Sequence, residues 1–244
     1  MAIVDSLTFF GVSTRKRADW SVEALLAALE RASIHRALTC SLKGVFYDFR
    51  EGNDETLAVC SAHPQLVPVA TVDPRRAFGC IEEVERMAGA GCRAFRFFPR
   101  EQGWPYDFLP FVRLVERIEG AGGIIFLPCA ENGTATQLFR LFGTLRVPIV
   151  LCGVSYWNLS EALACVGEAR NFYLETHLIN TPDGIDLAVR RVGERRLLLG
   201  TNAPETAPGP ALAMIRASRL GDYEKGLVLG RNVARLLGLD DENR

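Results

Sequence analysis

Histidine is scarce in this chain of 244 residues, with only His35, His63 and His177. Seven cysteines (Cys40, Cys60, Cys80, Cys92, Cys129, Cys152, Cys165) form no C-x-x-C pair and show no zinc spacing. No G-x-G-x-x-G follows the first apolar run, where Phe10-Gly11-Val12-Ser13 stands, and no phosphate-binding G-x-x-x-x-G-K-[ST] occurs. A dinucleotide fold and a P-loop are thereby excluded. No apolar run approaches the ~20 residues needed to span a bilayer. Basic excess is missing too: 28 Lys and Arg against 29 Asp and Glu leave a net charge of -1. That balance argues against a nucleic-acid or membrane-surface binder. Arg15-Lys16-Arg17 and the set Arg190, Arg191, Arg195 and Arg196 are local exceptions, read as solvated surface. An odd cysteine count with no signal peptide predicts reduced thiols in the core of a cytoplasmic protein.

What the chain does have is repetition. Leu197-Leu198-Leu199 followed by Gly200-Thr201-Asn202-Ala203-Pro204 reads as a short buried strand with a polar stop. A continuous apolar run suits a parallel strand covered on both faces, and such folds place their chemistry beyond the C-terminal strand ends. Strands are predicted over 2–10, 34–39, 66–72, 92–98, 124–127, 147–151, 172–175 and 196–199. Helices are predicted over 22–32 (N-capped by Ser21), 53–62, 79–88, 107–119, 134–142, 159–166, 182–192 (Pro182 at its first position) and 210–218. A last helix over 223–237 is expected to pack across the outside. Eight strand–helix units at spacings near ~30 residues, with no linker between composition regimes, predict one domain over 1–244. The expected fold is a closed (β/α)₈ TIM barrel, with an open doubly wound sheet as the alternative.

Four stretches resemble the amidohydrolase-related family of metal-dependent hydrolases and decarboxylases. They are Ile3 to Gly11, Ala90 to Pro99, Val192 to Pro204 and Leu229 to Leu239, similar in order and spacing to the family's first, fourth and eighth strands and closing helix. The resemblance implies a TIM barrel and a hydrolase. It departs at the metal ligands. Leu7 and Phe9 stand where the family has its first-strand histidines, Pro128 and Cys152-Gly153 where it has later ones, and Asn202 in place of an aspartate. Leu, Phe and Pro offer a cation no side-chain lone pair, and a neutral amide replaces a carboxylate poorly. The expectation is therefore no metal and no cofactor.

Candidate site residues come from the strand ends. Asp5, Leu7 and Phe9 share one face, inward in the family's register. Asp5 reads as a hydrogen-bonded core carboxylate before it reads as a catalyst. Arg96 lies among Phe95, Phe97 and Phe98, and could clamp a substrate anion or form a structural ion pair with Asp5, Asp73 or Glu131. Glu175 and His177, two apart, could act as orienter and base, with a loop histidine as the plainer reading. Cys152 could pair with His177 as nucleophile, although scattered cysteines read first as core filler. Glu131, Asn202 and Trp157 are candidate substrate-binding residues, and Tyr156, Trp104, Asn132 and Cys129 lie on the same rim.

Two functions stay open. One is a metal-independent hydrolase or lyase of a small anionic or cyclic substrate. The other is a pseudoenzyme kept as a small-molecule binding or assembly partner. A homo-oligomer is compatible with the rim aromatics, and neither nucleic acid nor membrane is an expected partner.

Overall fold

In the computed structural model, residues 2–239 are described, apart from positions 15, 17 and 77. Eight parallel strands form one sheet in the order β1 (Val4–Asp5), β4 (Arg36–Thr39), β5 (Leu66–Ala70), β6 (Ala94–Arg96), β7 (Ile124–Pro128), β8 (Ile149–Cys152), β9 (Phe172–Glu175) and β10 (Leu197–Leu198). Closure runs through the extended chain that follows β1 and β10. Ser6 N–H donates to Leu199 O and Asn202 N–H to Leu7 O, each at 2.8 Å, while Thr8 and Ala203 form a parallel bridge. The result is a (β/α)₈ barrel.

Both faces of the strands are covered. Leu38, Val67, Val69, Ala94, Ile124, Phe126, Val150 and Leu198 pack together in the barrel interior. Their neighbours Ala37, Leu66, Phe95, Ile125, Ile149, Phe172 and Leu197 join the cluster that faces the helices. Double coverage explains why β8 reads as the unbroken apolar run Ile149-Val150-Leu151-Cys152 and not as an alternation.

The surrounding helices follow ordinary start signals. In α1 (Val22–Arg31), Ser21 caps the first turn by accepting from Ala24 N. Helix α3 (Phe49–Ala62) starts four residues before the predicted helix, because the Asp48 carboxylate accepts from both Arg50 N and Glu51 N. A short α2 (Lys43–Phe46) precedes it. The remaining helices are α4 (Cys80–Gly89), α5 (Pro99–Gln102), α6 (Leu109–Gly120), α7 (Thr134–Phe142), α8 (Leu159–Glu168), α9 (Gly184–Val192) and α10 (Gly209–Ala217). Pro182 is not the first residue of α9. Asp183 takes a left-handed backbone (φ 56°) ahead of Gly184, so the helix begins two residues later.

Two segments differ more substantially from expectation. The first strand does not end the opening unit. Beyond it an antiparallel hairpin, β2 (Gly11–Ser13) and β3 (Ala18–Trp20), extends over the mouth of the barrel. The expected C-terminal helical segment is present over Asp222–Leu237, but it is kinked at Gly230. It divides into α11 (Asp222–Gly226), a wide turn over Leu227–Arg231, and α12 (Asn232–Leu237). Leu199 N–H donates to Val228 O, Asn232 Nδ2 donates to Glu194 O and Leu197 O at 2.8 Å, and Val233 joins the interior cluster. The segment thus plugs the seam between the first and last strands.

Gly230 makes that plug possible. A Cβ there would lie 2.8 Å from Ala2 O and 2.9 Å from Val4 N, both backbone atoms that cannot swing aside. Gly230→Ala is expected to push α12 off the seam and destabilise the fold by roughly 2 kcal/mol. Urea unfolding checks this, and a midpoint equal to that of the parent would disprove the close packing.

Candidate active site

The barrel mouth holds a cavity of about 300 Å³, lined by residues from several strand ends and from the β2–β3 hairpin. Its apolar wall includes Leu7, Phe9, Trp20, Phe98 and Phe126, and its polar groups include Arg96, His177, Asn202, Lys16 and Glu205. Leu7 and Phe9 do face inward, as their shared strand face requires.

Glu175 and His177 are brought together. His177 Nδ1–H donates to Glu175 Oε2 at 2.5 Å, and the His177 backbone N–H donates to Glu175 Oε1. Gly153 N–H approaches the same carboxylate at 3.3 Å. The carboxylate is fully buried, while the imidazole keeps 11% of its surface exposed and lines the cavity. Room for the carboxylate comes from Gly200, where a Cβ would lie 2.3 Å from Glu175 Oε1. Burial opposes the charged imidazole, but the Glu175 charge and hydrogen bond outweigh it and raise the His177 pKa above its ordinary 6.5. Nε2 of His177 has no partner among the described residues.

Asp5 is a structural carboxylate. It accepts from Leu7 N at 3.0 Å, from Thr201 N at 3.1 Å and from Thr201 Oγ1, which ties the end of β1 to the chain beyond β10. Complete burial pushes its pKa up to about 7, against hydrogen bonds that pull it down. It forms no ion pair with Arg96.

Arg96 is the unusual charge. Its guanidinium lies 4.9 Å from the centre of the Phe98 ring and 5.7 Å from that of Phe9. Its hydrogen bonds go to neutral oxygens, to Thr8 O at 3.3 Å and Asn202 Oδ1 at 3.4 Å. Among the described residues, none of the structural ion pairs open to it on sequence is formed. Asp73 instead pairs with Arg75, and Glu131 is exposed.

Cys152 and His177 line the same cavity without forming a nucleophile–base pair. No hydrogen bond joins the two side chains, and Cys152 Sγ donates weakly to Val150 O at 3.5 Å. Burial, reinforced by the Glu175 charge, holds the Cys152 thiol well above its ordinary range, so the nucleophilic thiolate is suppressed.

Two of the sequence-derived binding residues stand apart from the cavity. Trp157 is 80% exposed and stacks edge-on with Tyr156 in the loop after β8, and Glu131 points to solvent. Trp104 is buried among Phe97, Phe111 and Tyr106 behind the barrel wall, and Cys129 belongs to the helix-facing core. Conversely, Trp20, Lys16 and Glu205 line the cavity without having been singled out. Their place depends on the hairpin, which no alternating apolar pattern announces.

Leu7 and Phe9 fill the inward wall, and a guanidinium shares the space. Among the described residues, no three His, Cys, Asp or Glu side chains gather as ligands.

With this geometry in hand, relatives can be compared. A family model described as amidohydrolase matches residues 15–239. Similar solved structures include 2,6-dihydroxybenzoate decarboxylase from Rhizobium, at 14% identity over 98% of this chain and 99% of that one, with a TM-score of 0.77. A second is dihydroxybenzoic acid decarboxylase from Polaromonas sp. JS666, with bound manganese and 2-nitroresorcinol (15% identity, 98% and 97% covered, TM-score 0.75). A third is a probable 2-pyrone-4,6-dicarboxylic acid hydrolase from Acinetobacter baumannii with citric acid bound (14% identity, 98% and 100% covered, TM-score 0.73). At such identities the likeness is one of fold. No curated protein sequence matches. Carried by a family match that runs from the hairpin through the closing helix, the conclusion is that this chain belongs to the amidohydrolase family.

Proposed function

We propose that this protein binds a small cyclic carboxylate in the barrel mouth and hydrolyses it by proton transfer at His177, without a resident divalent cation. The observation that carries the reading is Arg96, a half-buried cation whose protein partners are two neutral oxygens and two phenyl faces. A cation held this way attracts an anion, and a guanidinium receives a carboxylate through two parallel hydrogen bonds. The apolar wall of Leu7, Phe9, Phe98 and Phe126 suits a flat ring attached to that carboxylate. The names of the three solved relatives fit this class, since dihydroxybenzoate and pyrone dicarboxylate are both cyclic carboxylic acids.

For the chemistry, Nε2 of His177 takes a proton from water as that water adds to an ester or lactone carbonyl, and the imidazolium returns it to the departing oxygen as the acyl C–O bond breaks. Glu175 holds the ring by Nδ1 and stabilises the imidazolium that forms. No step of this reading requires the manganese that the Polaromonas relative binds, and among the described residues no three His, Cys, Asp or Glu side chains gather to hold one. A barrel that binds or assembles without turnover is the other class, and the Glu175–His177 pair argues for turnover.

Three measurements bear on this reading. Benzoate, titrated calorimetrically, is expected to bind the parent and to lose roughly 10- to 100-fold affinity in Arg96→Ala, the size expected for charge-assisted hydrogen bonds. Equal affinity in both proteins removes the anchor.

Turnover of a panel of ring-carboxylated aryl esters and lactones is expected to continue in excess chelator. Activity that disappears with chelator and returns with manganese overturns the metal-free mechanism.

The pH profile carries a sign. A general base must be unprotonated, so kcat/KM rises with pH through the His177 pKa, with its inflection above 6.5. Glu175→Gln removes the charge that holds the proton, leaving burial to dominate, and the inflection moves down. An inflection that stays put in Glu175→Gln excludes this pair as the titrating unit.

A further inference from the structure

One wall of the cavity carries a chain of polar contacts. Lys16 Nζ pairs with Glu205 Oε1, Asn202 Nδ2 donates to Glu205 Oε2 at 3.3 Å, and Arg96 Nη2 donates to Asn202 Oδ1 at 3.4 Å. The orientation of the Asn202 amide follows from these partners, because a guanidinium only donates and a carboxylate only accepts. A single neutral side chain therefore separates an acid of the cavity wall from its half-buried arginine.

The backbone holds that spacer in place. Asn202 sits at φ 57°, in the left-handed region that asparagine, aspartate and glycine enter most easily. Its N–H donates to Leu7 O at 2.8 Å, and its carbonyl accepts from Thr206 N at 3.3 Å. Glu205, already engaged by Lys16 and by the Asn202 amide, has both oxygens occupied.

We propose that Asn202 determines the specificity of this cavity for anions: its neutral amide insulates Arg96 from Glu205, so that a ligand carboxylate becomes the counter-ion of Arg96. The proposal rests on the reading of Arg96 as an anion anchor. A carboxylate at position 202 would stand at hydrogen-bond distance from the guanidinium, form the ion pair that the protein now withholds, and compete with any anionic ligand. Asn202 acts through Arg96 and is a positioning residue.

The test compares benzoate with its neutral analogue benzamide on the parent and on Asn202→Asp, Asn202→Ser and Arg96→Ala. Aspartate is isosteric with asparagine and accepts the same left-handed backbone, and the melting temperature checks that the variant folds. Asn202→Asp is expected to lower benzoate affinity about tenfold or more while benzamide affinity stays within about twofold, collapsing the preference. Damage to the cavity as such would weaken both ligands together. Asn202→Ser, which adds no charge, is expected to keep most of the preference, so an equal collapse in Ser and Asp overturns the charge argument even if the Asp variant is unstable. If Arg96→Ala abolishes benzoate binding and Asn202→Asp leaves it intact, this proposal fails and the anchor stands. If Arg96→Ala leaves benzoate binding unchanged, the anchor itself fails.

Discussion

Closure of the barrel between its first and last strands is the constraint on which the rest depends. The two regular strands there are short, Val4–Asp5 and Leu197–Leu198, and the contact between them is made by the extended chain beyond. Backbone bonds from Ser6 to Leu199 and from Asn202 to Leu7 are backed by Asp5, which clasps Thr201 through backbone and side chain. The C-terminal segment then covers the seam from the other end, through Val228 and Asn232. Without this closure, Thr8 and Asn202 would not meet Arg96 from two sides, and the mouth would have no wall at that point.

The charges of the mouth are arranged by the low polarity around them. A buried carboxylate must be neutral, paired or richly hydrogen-bonded. Asp5 meets this with the hydrogen bonds it accepts from Leu7 and Thr201, while burial raises its pKa to about 7, and Glu175 by embracing His177. The same burial keeps Cys152 a thiol. Arg96 leans on two aromatic faces and two neutral oxygens, an arrangement that leaves its charge without an acidic partner among the described residues.

Much of the architecture was legible in local patterns. The helix over Thr134–Phe142 and the strand over Phe172–Glu175 appear with the predicted bounds, since each is set by its own apolar periodicity and flanking breaks. Where local and tertiary signals compete, the pattern misleads. Residues 223–237 have helical periodicity, but the seam accepts them only with a wide turn around Gly230. Pro182 looks like a helix start, yet the left-handed Asp183 begins the helix beyond it. At the site, the two-residue spacing nominated Glu175 with His177 and Leu7 with Phe9; Leu7 and Phe9 share the inward face, whereas His177 lies in the turn after β9 and meets Glu175 from there. It could not tell that Trp157 would turn to solvent, because loop direction is set by tertiary packing and not by spacing.

The sequence by itself determined the eightfold strand–helix alternation and the double burial of the strands. Each follows from periodicity and from the need of parallel strands for cover on both faces. The tertiary structure alone decided which charges meet. Asp5 and Thr201 are 196 residues apart in the chain, and Arg96 and Asn202 are 106 apart. Such contacts depend on how the ring of strands closes, and no local pattern encodes the distance between two points on a closed ring. That is why the sequence could nominate Arg96 as either ion-pair partner or anion anchor, and why only the closed barrel shows it facing an amide.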